Sequence, residues 1–387
     1  MGRNLALSCG IALSLLAPLQ GAQAKFTTLY TFDPSGGGIG VNPWSTLIAD
    51  GSGNLYGTAT GGGSNAWYGS VFKLAPDGTG TALYVFTGGN DGAIPIAPVT
   101  ADASGNLYGT TTEGGGTGCG GSGCGIVFEV TPSGSETVLH AFAGNDGQEP
   151  EGGLIQDTNG NWYGTTRYGG AYGNGTVFEL TSKGKETVLY SFTGGSDGSN
   201  PLSQLLLGKK GKLYGTTSNG GASGSGTIFL FSKAGGENVL HSFTAGTDGS
   251  SPSAGLIADS EGNMYGVSSW SGTGGAGTVF KLSERGIFSV LHEFSGQPDG
   301  ANPWEAPLIM DGSGNLYGTT GGGGSSNEGT VFKITPKGKE TILHSFSGGS
   351  DGSWANGGLL AGTHGIVYGD TVTGGTYGYG VVYSLKE

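Results

Sequence analysis

The sequence predicts an all-β fold, a seven-bladed β-propeller of four-stranded antiparallel blades. Three observations carry that prediction: a composition rich in both glycine and aromatics, a sevenfold internal repeat, and two chain ends that complete each other's pattern. Glycine and proline number 86 and 14 among 387 residues, about a quarter of the chain. At that proportion a chain without a period reads as disordered. Yet 35% of residues are hydrophobic, 10% aromatic and only 12% charged, whereas disorder pairs few aromatics with many charges. No Gly-X-Y triplet runs through the chain, which excludes collagen. The net charge of −13 speaks against nucleic acid or an anionic membrane surface as partner.

Residues 1–24 have the three parts of a secretory signal peptide. Arg3 supplies the positive start, Leu5 to Leu19 the apolar stretch, and Ala22-Gln23-Ala24 the small-x-small cleavage site. Cleavage after Ala24 leaves residues 25–387 as a secreted chain, extracellular or periplasmic, with no later stretch apolar enough to span a bilayer.

Three markers recur seven times each. A Tyr-Gly pair stands at Tyr56, Tyr108, Tyr163, Tyr214, Tyr265, Tyr317 and Tyr368, at intervals of 51 to 55 residues. An aromatic in strings like Gly-Thr-Val-Phe falls at Phe72, Phe128, Phe178, Phe229, Phe280, Phe332 and Tyr383. A Leu-Tyr/His-x-Phe string ends at Phe32, Phe86, Phe142, Phe192, Phe243, Phe294 and Phe346. A period near 50 that consumes the whole mature chain points to a propeller or another repeat array.

The sixth unit shows the elements in order. Ala306–Met310 is a brief apolar strand and Asp311-Gly312-Ser313-Gly314-Asn315 a tight turn of residues that tolerate positive φ. Leu316–Thr320 is a second strand, followed by a Gly/Ser loop. Thr330–Ile334 is a third, and after the Pro336-Lys337-Gly338 turn, Glu340–Phe346 is a fourth. Strands this short and β-branched fit propeller blades, and no segment has helical periodicity. Lys25–Phe32 matches a fourth strand, while the C-terminus stops after a third. The seventh blade is therefore expected to join residues 25–32 with 357–387 and close the ring, which removes the open edge.

In these residues the chain resembles the GloVer tandem-repeat proteins. Their units run Gly-x-Val-Phe-x-Leu-x-Pro-x-Gly, then Leu-x-Ser-Phe-x-Gly-Gly-x-Asp-Gly-x-x-Pro, then Asp-x-x-Gly-Asn-Leu-Tyr-Gly-Thr-Thr; Ser191–Gly198 nearly repeats the middle string. The resemblance covers all seven units. It implies a secreted or surface-displayed bacterial propeller and no particular activity. Members of the choice-of-anchor type carry a C-terminal sorting segment; here Glu387 closely follows the last strand, so free secretion is the expectation. Kelch propellers share the period, but their Trp downstream of the Tyr does not recur.

Length variation falls on one face of the ring, formed by the loops between second and third strands and by the connections entering each blade. Trp44, Trp304 and Trp354 belong to those connections and Trp67 and Trp270 to those loops, with Tyr68 beside them. Aromatic platforms in an acidic, hydroxyl-rich surface suit sugar rings or a partner's apolar anchors, so these six are the candidate ligand-binding residues, set against rings that merely cover blade ends. Asp91, Asp146, Asp197, Asp248, Asp299 and Asp351, one per blade before a Gly, suit turn chemistry better than a shared cation site, being spread around a wide ring. The same holds for Asp50, Asp102, Asp157, Asp259 and Asp311. His140, His241, His292 and His344 fill the slot that holds Tyr30, Tyr84 and Tyr190 elsewhere, and no metal site is read from them. No Ser/His/Asp constellation, nucleophile elbow or phosphate loop is present. Carboxylate pairs for glycoside hydrolysis would come from distant blades and leave no local spacing. The five extra residues of blade 2 carry Cys119 and Cys124, expected to form a disulfide in an exported chain. Zinc would need further ligands. The reading is a monomeric secreted binding module for glycan or protein, without catalytic residues, cofactor or metal. A secreted carbohydrate-active hydrolase or lyase, or a purely structural surface protein, are the alternatives.

Overall fold

The computed structural model describes residues 24–35, 39–62 and 67–387; residues 1–23, almost all of the expected signal segment, lie outside them. The repeat folds as seven antiparallel blades in a ring, with a further two-stranded ladder pairing Gly300–Ala301 with Gly322–Gly323. Blade 3 is representative: Ile155–Gln156 innermost, then Trp162–Thr166, Thr176–Leu180 and Glu186–Ser191 outermost. Blade 7 consists of Leu360–Ala361, Ile366–Thr371 and Val381–Lys386, with Lys25–Thr31 added antiparallel as its outer strand. Among the described residues no helix is long and apolar enough to cross a membrane.

The innermost strands are shorter than the sequence pattern implies. Of Ala306–Met310 only Ile309–Met310 pairs in the ladder. Pro307, with no N–H to donate, precedes this pair and lines the central channel.

Each seam between blades is filled by aromatics. The Phe ending one blade's outer strand packs edge-on against the third-strand aromatic of the next blade, at centroid distances such as 5.2 Å for Phe142 and Phe178 and 5.1 Å for Phe192 and Phe229. The series runs unbroken through the closure, with Phe346 against Tyr383 at 5.4 Å and Phe32 against Phe72 at 5.4 Å. The ring is thus sealed by the same contact at its termini as elsewhere. The Tyr-Gly glycines serve these rings: a Cβ on Gly164 would stand 2.6 Å from Cζ of Phe178, its cross-strand partner. The missing side chain admits a neighbouring aromatic ring.

The hairpins joining first to second strands share one network. Asp157 accepts from the N–H groups of Asn159 and Asn161 (2.8 and 2.9 Å), from Asn161 Nδ2 (3.1 Å) and from Tyr163 Oη (3.2 Å). Asp50, Asp259 and Asp311 repeat the pattern. On the opposite face, the connections into the blades carry a residue at positive φ in a fixed slot: Asn42, Ile94, Glu149, Asn200, Ser251, Asn302 and Trp354, all between 52° and 57°. This shared bend turns the chain from the blade rim inward to the channel.

Candidate functional site

Every exposed large aromatic among the described residues lies on the long-loop face: Trp67, Tyr68, Tyr172, Trp270, Trp304, Trp354 and Tyr377. The structure gathers part of the predicted set. Trp270 and Trp304 meet at 5.9 Å with planes 71° apart, 44% and 40% exposed. Trp44 is half-buried, and its Nε1 donates to Glu305 Oε2 at 2.9 Å. Blade 1 and blade 6 therefore share one acidic group, and Trp270 of blade 5 extends the cluster. Trp67 leans on Tyr379 at 6.3 Å as a separate pair across blades 1 and 7. Tyr68 covers Gly88, where a Cβ would collide with its ring. Trp354 is 52% exposed and makes no ring contact among the described residues.

Glu305 owes its place to an insertion. The positive-φ slot precedes the next inner-strand Leu or Val by five residues in six blades, but six separate Asn302 from Leu308. The extra residue forces a second positive φ, 50° at Glu305, and turns its carboxylate into the channel mouth. Glu151, in the slot that elsewhere holds Trp44, Ile96, Leu202, Ser253 and Asn356, reaches the same space. Arg167 Nη1 binds Glu151 Oε1 at 2.8 Å, with the Glu151 side chain only 7% exposed, and its guanidinium lies 4.9 Å from the Tyr168 ring centroid.

Burial pushes the Glu151 carboxyl up to about 7; Arg167 opposes this and Glu305 adds to it. Burial likewise raises Glu305, against the Trp44 hydrogen bond and the charge of Arg167. Two acids thus share one base at the channel mouth, so near neutral pH a proton is readily held there. The cavity between them is about 40 Å³, room for roughly three waters and too small for a sugar ring. Sequence reasoning missed Glu151, Arg167 and Glu305. Each departs from the repeat at its slot: Arg167 stands where Thr60, Thr112, Ser218, Ser269, Gly321 and Val372 stand in other blades.

Cys119 and Cys124 form a disulfide with Cα atoms 5.3 Å apart, and Cys124 is packed into the seam beneath. The Asp-Gly carboxylates act as turn anchors. Asp91 accepts from Thr87 N–H and Oγ1 (2.8 and 2.6 Å) and from Tyr84 Oη (2.9 Å). Where a His replaces the Tyr, its Nε2 faces the same carboxylate, at 3.0 Å for His140 and Asp146.

Fold and site together define a repeat propeller with an aromatic face around an acidic channel mouth. The chain belongs to the Gloeobacter/Verrucomicrobia repeat family, whose profile matches residues 16–156, 117–259 and 234–387. No match is found among curated proteins. Solved propellers are similar in fold. A Bacteroides uniformis protein provisionally assigned as a 6-phosphogluconolactonase is 17% identical, with TM-score 0.50 over 78% of this chain and 84% of its own. A gluconolactonase from Xanthomonas campestris is 12% identical, with TM-score 0.45 over 94% and 89%. At these identities the likeness is one of fold alone.

Proposed function

We propose that the protein is a secreted binding module that holds a carbohydrate on its long-loop face, over Trp270, Trp304 and Trp44 at the channel mouth. The observation that carries this reading is the confinement of all exposed large aromatics to that face. There the Trp44 indole N–H orients the Glu305 carboxylate beside the Trp270–Trp304 pair. Flat rings supply apolar area for the faces of a sugar, and the Glu305 and Arg167 groups supply hydrogen bonds for its hydroxyls. Trp67 with Tyr379, and Trp354, extend the surface for a longer chain.

The test is a glycan array followed by calorimetry on the best ligand, with and without calcium and EDTA. Trp270→Ala plus Trp304→Ala should weaken binding at least tenfold while thermal stability stays within about 0.5 kcal/mol, as surface substitutions do. Binding that ignores both substitutions, or no glycan bound at all, would reject the reading; a protein ligand captured through the same tryptophans would keep the site and change its ligand.

A second reading, a glycoside hydrolase, has one observation in its favour: the carboxyls of Glu151 and Glu305 share Arg167 with raised affinity for a proton. The small cavity counts against it. Release of reducing ends from a polysaccharide, lost in Glu151→Gln, would establish it.

A further inference from the structure

The same three slots meet at successive seams: the Tyr or His of one outer strand, the Asp of the following connection, and the residue opening the next outer strand. Six of the seven seams use them in three versions, and at the seventh Gly80 packs against Tyr30. Tyr84–Asp91 faces Glu136, and Tyr190–Asp197 faces Glu237, with the Tyr Oη donating to Asp at 2.9 Å in both. At two other seams a His is stacked on a Phe, His241 on Phe288 at 3.8 Å and Phe26 on His344 at 4.0 Å. At two seams a His, an Asp and a Glu come together: His140, Asp146 and Glu186, and His292, Asp299 and Glu340.

The seam between blades 5 and 6 differs from all the others. His292 Nε2 stands 3.4 Å from Asp299 Oδ2 and 3.7 Å from Glu340 Oε1. In the other three His seams the nitrogen lies within 3.0 to 3.2 Å of its Asp in a hydrogen bond. Glu340 Oε1 is buried without a hydrogen-bond partner, as are the matching oxygens of Glu136, Glu186 and Glu237, but His292 Nε2 alone among the seam histidines is left so as well, an arrangement that costs stability unless something else satisfies both atoms. Asp299 and His292 are held from outside the cluster. Asp299 is anchored by the N–H groups of Ser295 (3.0 Å) and Gly300 (2.7 Å), and the His292 ring is fixed edge-on to Phe294 at 4.8 Å. Ligands about 2.0 to 2.1 Å from a tetrahedral metal stand about 3.3 to 3.4 Å from one another, close to the observed spacings and longer than hydrogen bonds. One imidazole with two carboxylates selects a borderline transition metal over calcium or magnesium.

We infer that His292, Asp299 and Glu340 form a binding site for a divalent transition metal, with zinc as the probe, that ties blade 5 to blade 6. Asp299 and His292 come from blade 5 and its exit, Glu340 from blade 6, and water completes the coordination. The His140 site, whose hydrogen bond is already closed, is the weaker copy. This inference is independent of the carbohydrate reading, because the seam lies outside the aromatic cluster.

Untagged full chain, stripped with EDTA and dialysed, would be titrated with zinc by calorimetry, with bound metal counted by elemental analysis. The expected result is one tightly bound zinc per chain and a rise in Tm on loading. His292→Tyr and Glu340→Phe each convert the seam into a version used elsewhere in the same ring, so both should fold. Each should take the tight stoichiometry from one to zero, while His140→Tyr should leave it at one. Failure of the stripped protein to take up zinc would overturn the inference and leave the three groups as a structural buttress. Tight zinc retained in His292→Tyr, or lost in His140→Tyr, would overturn it equally.

Discussion

The two faces of the ring are built from the same seven repeats and differ in how strictly they keep to them. On the short-turn face, blades 1, 2, 3, 5 and 6 repeat one hairpin, with an Asp accepting from two backbone N–H groups, an Asn and a Tyr. On the long-loop face, the matching slots hold Trp, Ile, Glu, Leu, Ser and Asn in turn, one blade gains a residue, and another gains a disulfide loop. Local hydrogen bonding fixes the first face wherever the Asp is present, while blades 4 and 7 carry Gly208 and Gly362 in its place. The second is held by backbone bends that constrain φ while leaving the side chain open, so chemistry accumulates there.

The largest expected effect of breaking this comparison falls on the strict face. Asp157→Ala removes the acceptor shared by two backbone N–H groups, the Asn161 amide and the Tyr163 hydroxyl, donors that are exposed or partly buried, which should cost about 1 to 3 kcal/mol. The same change at Trp67, 61% exposed, should cost under about 0.5 kcal/mol. Chemical denaturation of the two variants side by side measures the contrast; equal losses would show that the long-loop face is structural after all.

That contrast also explains what the sequence could and could not reveal. The sevenfold ring, its closure by Lys25–Thr31 and the Cys119–Cys124 bond are local or periodic features, and each left a spacing to read. Trp270 and Trp304 were legible as aromatics on one face, but their meeting across blades 5 and 6 was not. Glu151, Arg167 and Glu305 come from blades 3 and 6, so no local motif joins them, and only a slot-by-slot comparison of repeats exposes them. The histidines were legible as substitutes for Tyr. Indexing them along the chain hid the fact that each one faces the first residue of the next blade's outer strand.

A second, smaller effect is expected from pH, with opposite signs on the two sides. Burial would raise Asp50, Asp157 and Asp259, but hydrogen bonds from the turn outweigh it and hold them below the usual carboxylate range. Their contribution is present above the unfolded value and is lost as pH falls through the folded one. Burial, with Asp91 and Asp197 adding to it, pushes Glu136 and Glu237 at the seams up to about 7, as burial does Glu151 at the channel. For these groups stability is fully present below the unfolded value of 4.5 and is lost as pH rises through about 7. Stability should therefore peak at about pH 4 to 5. Since the seam groups are partly solvated, Tm should fall by only about 2 to 5 °C toward pH 8.5. Glu136→Gln plus Glu237→Gln should flatten that alkaline limb and leave the acid limb intact; a Tm that climbs from pH 6 to 8.5 would contradict the assignment.

The smallest effect is the sharpest test of whether the long-loop face trades stability for binding. Trp354 sits at φ 57° in a slot where blades 1, 4 and 6 carry Asn. A left-handed conformation is costly for a bulky aromatic and readily adopted by Asn. In those three blades the Asn also donates its Nδ2 to a carbonyl at the end of the preceding blade's second strand: Asn42 to Val372 at 2.8 Å, Asn200 to Arg167 at 3.1 Å, Asn302 to Ser269 at 3.1 Å. The equivalent carbonyl for blade 7 belongs to Gly321. Trp354→Asn should therefore form a bond the native chain lacks and relieve the backbone, raising stability by about 0.5 to 1.5 kcal/mol. If the tryptophan is retained for a ligand, the same variant should bind a long glycan more weakly than the native protein does. A variant that is more stable and binds equally well would remove Trp354 from the site, and one that is less stable would show that the indole packs on this face as structure.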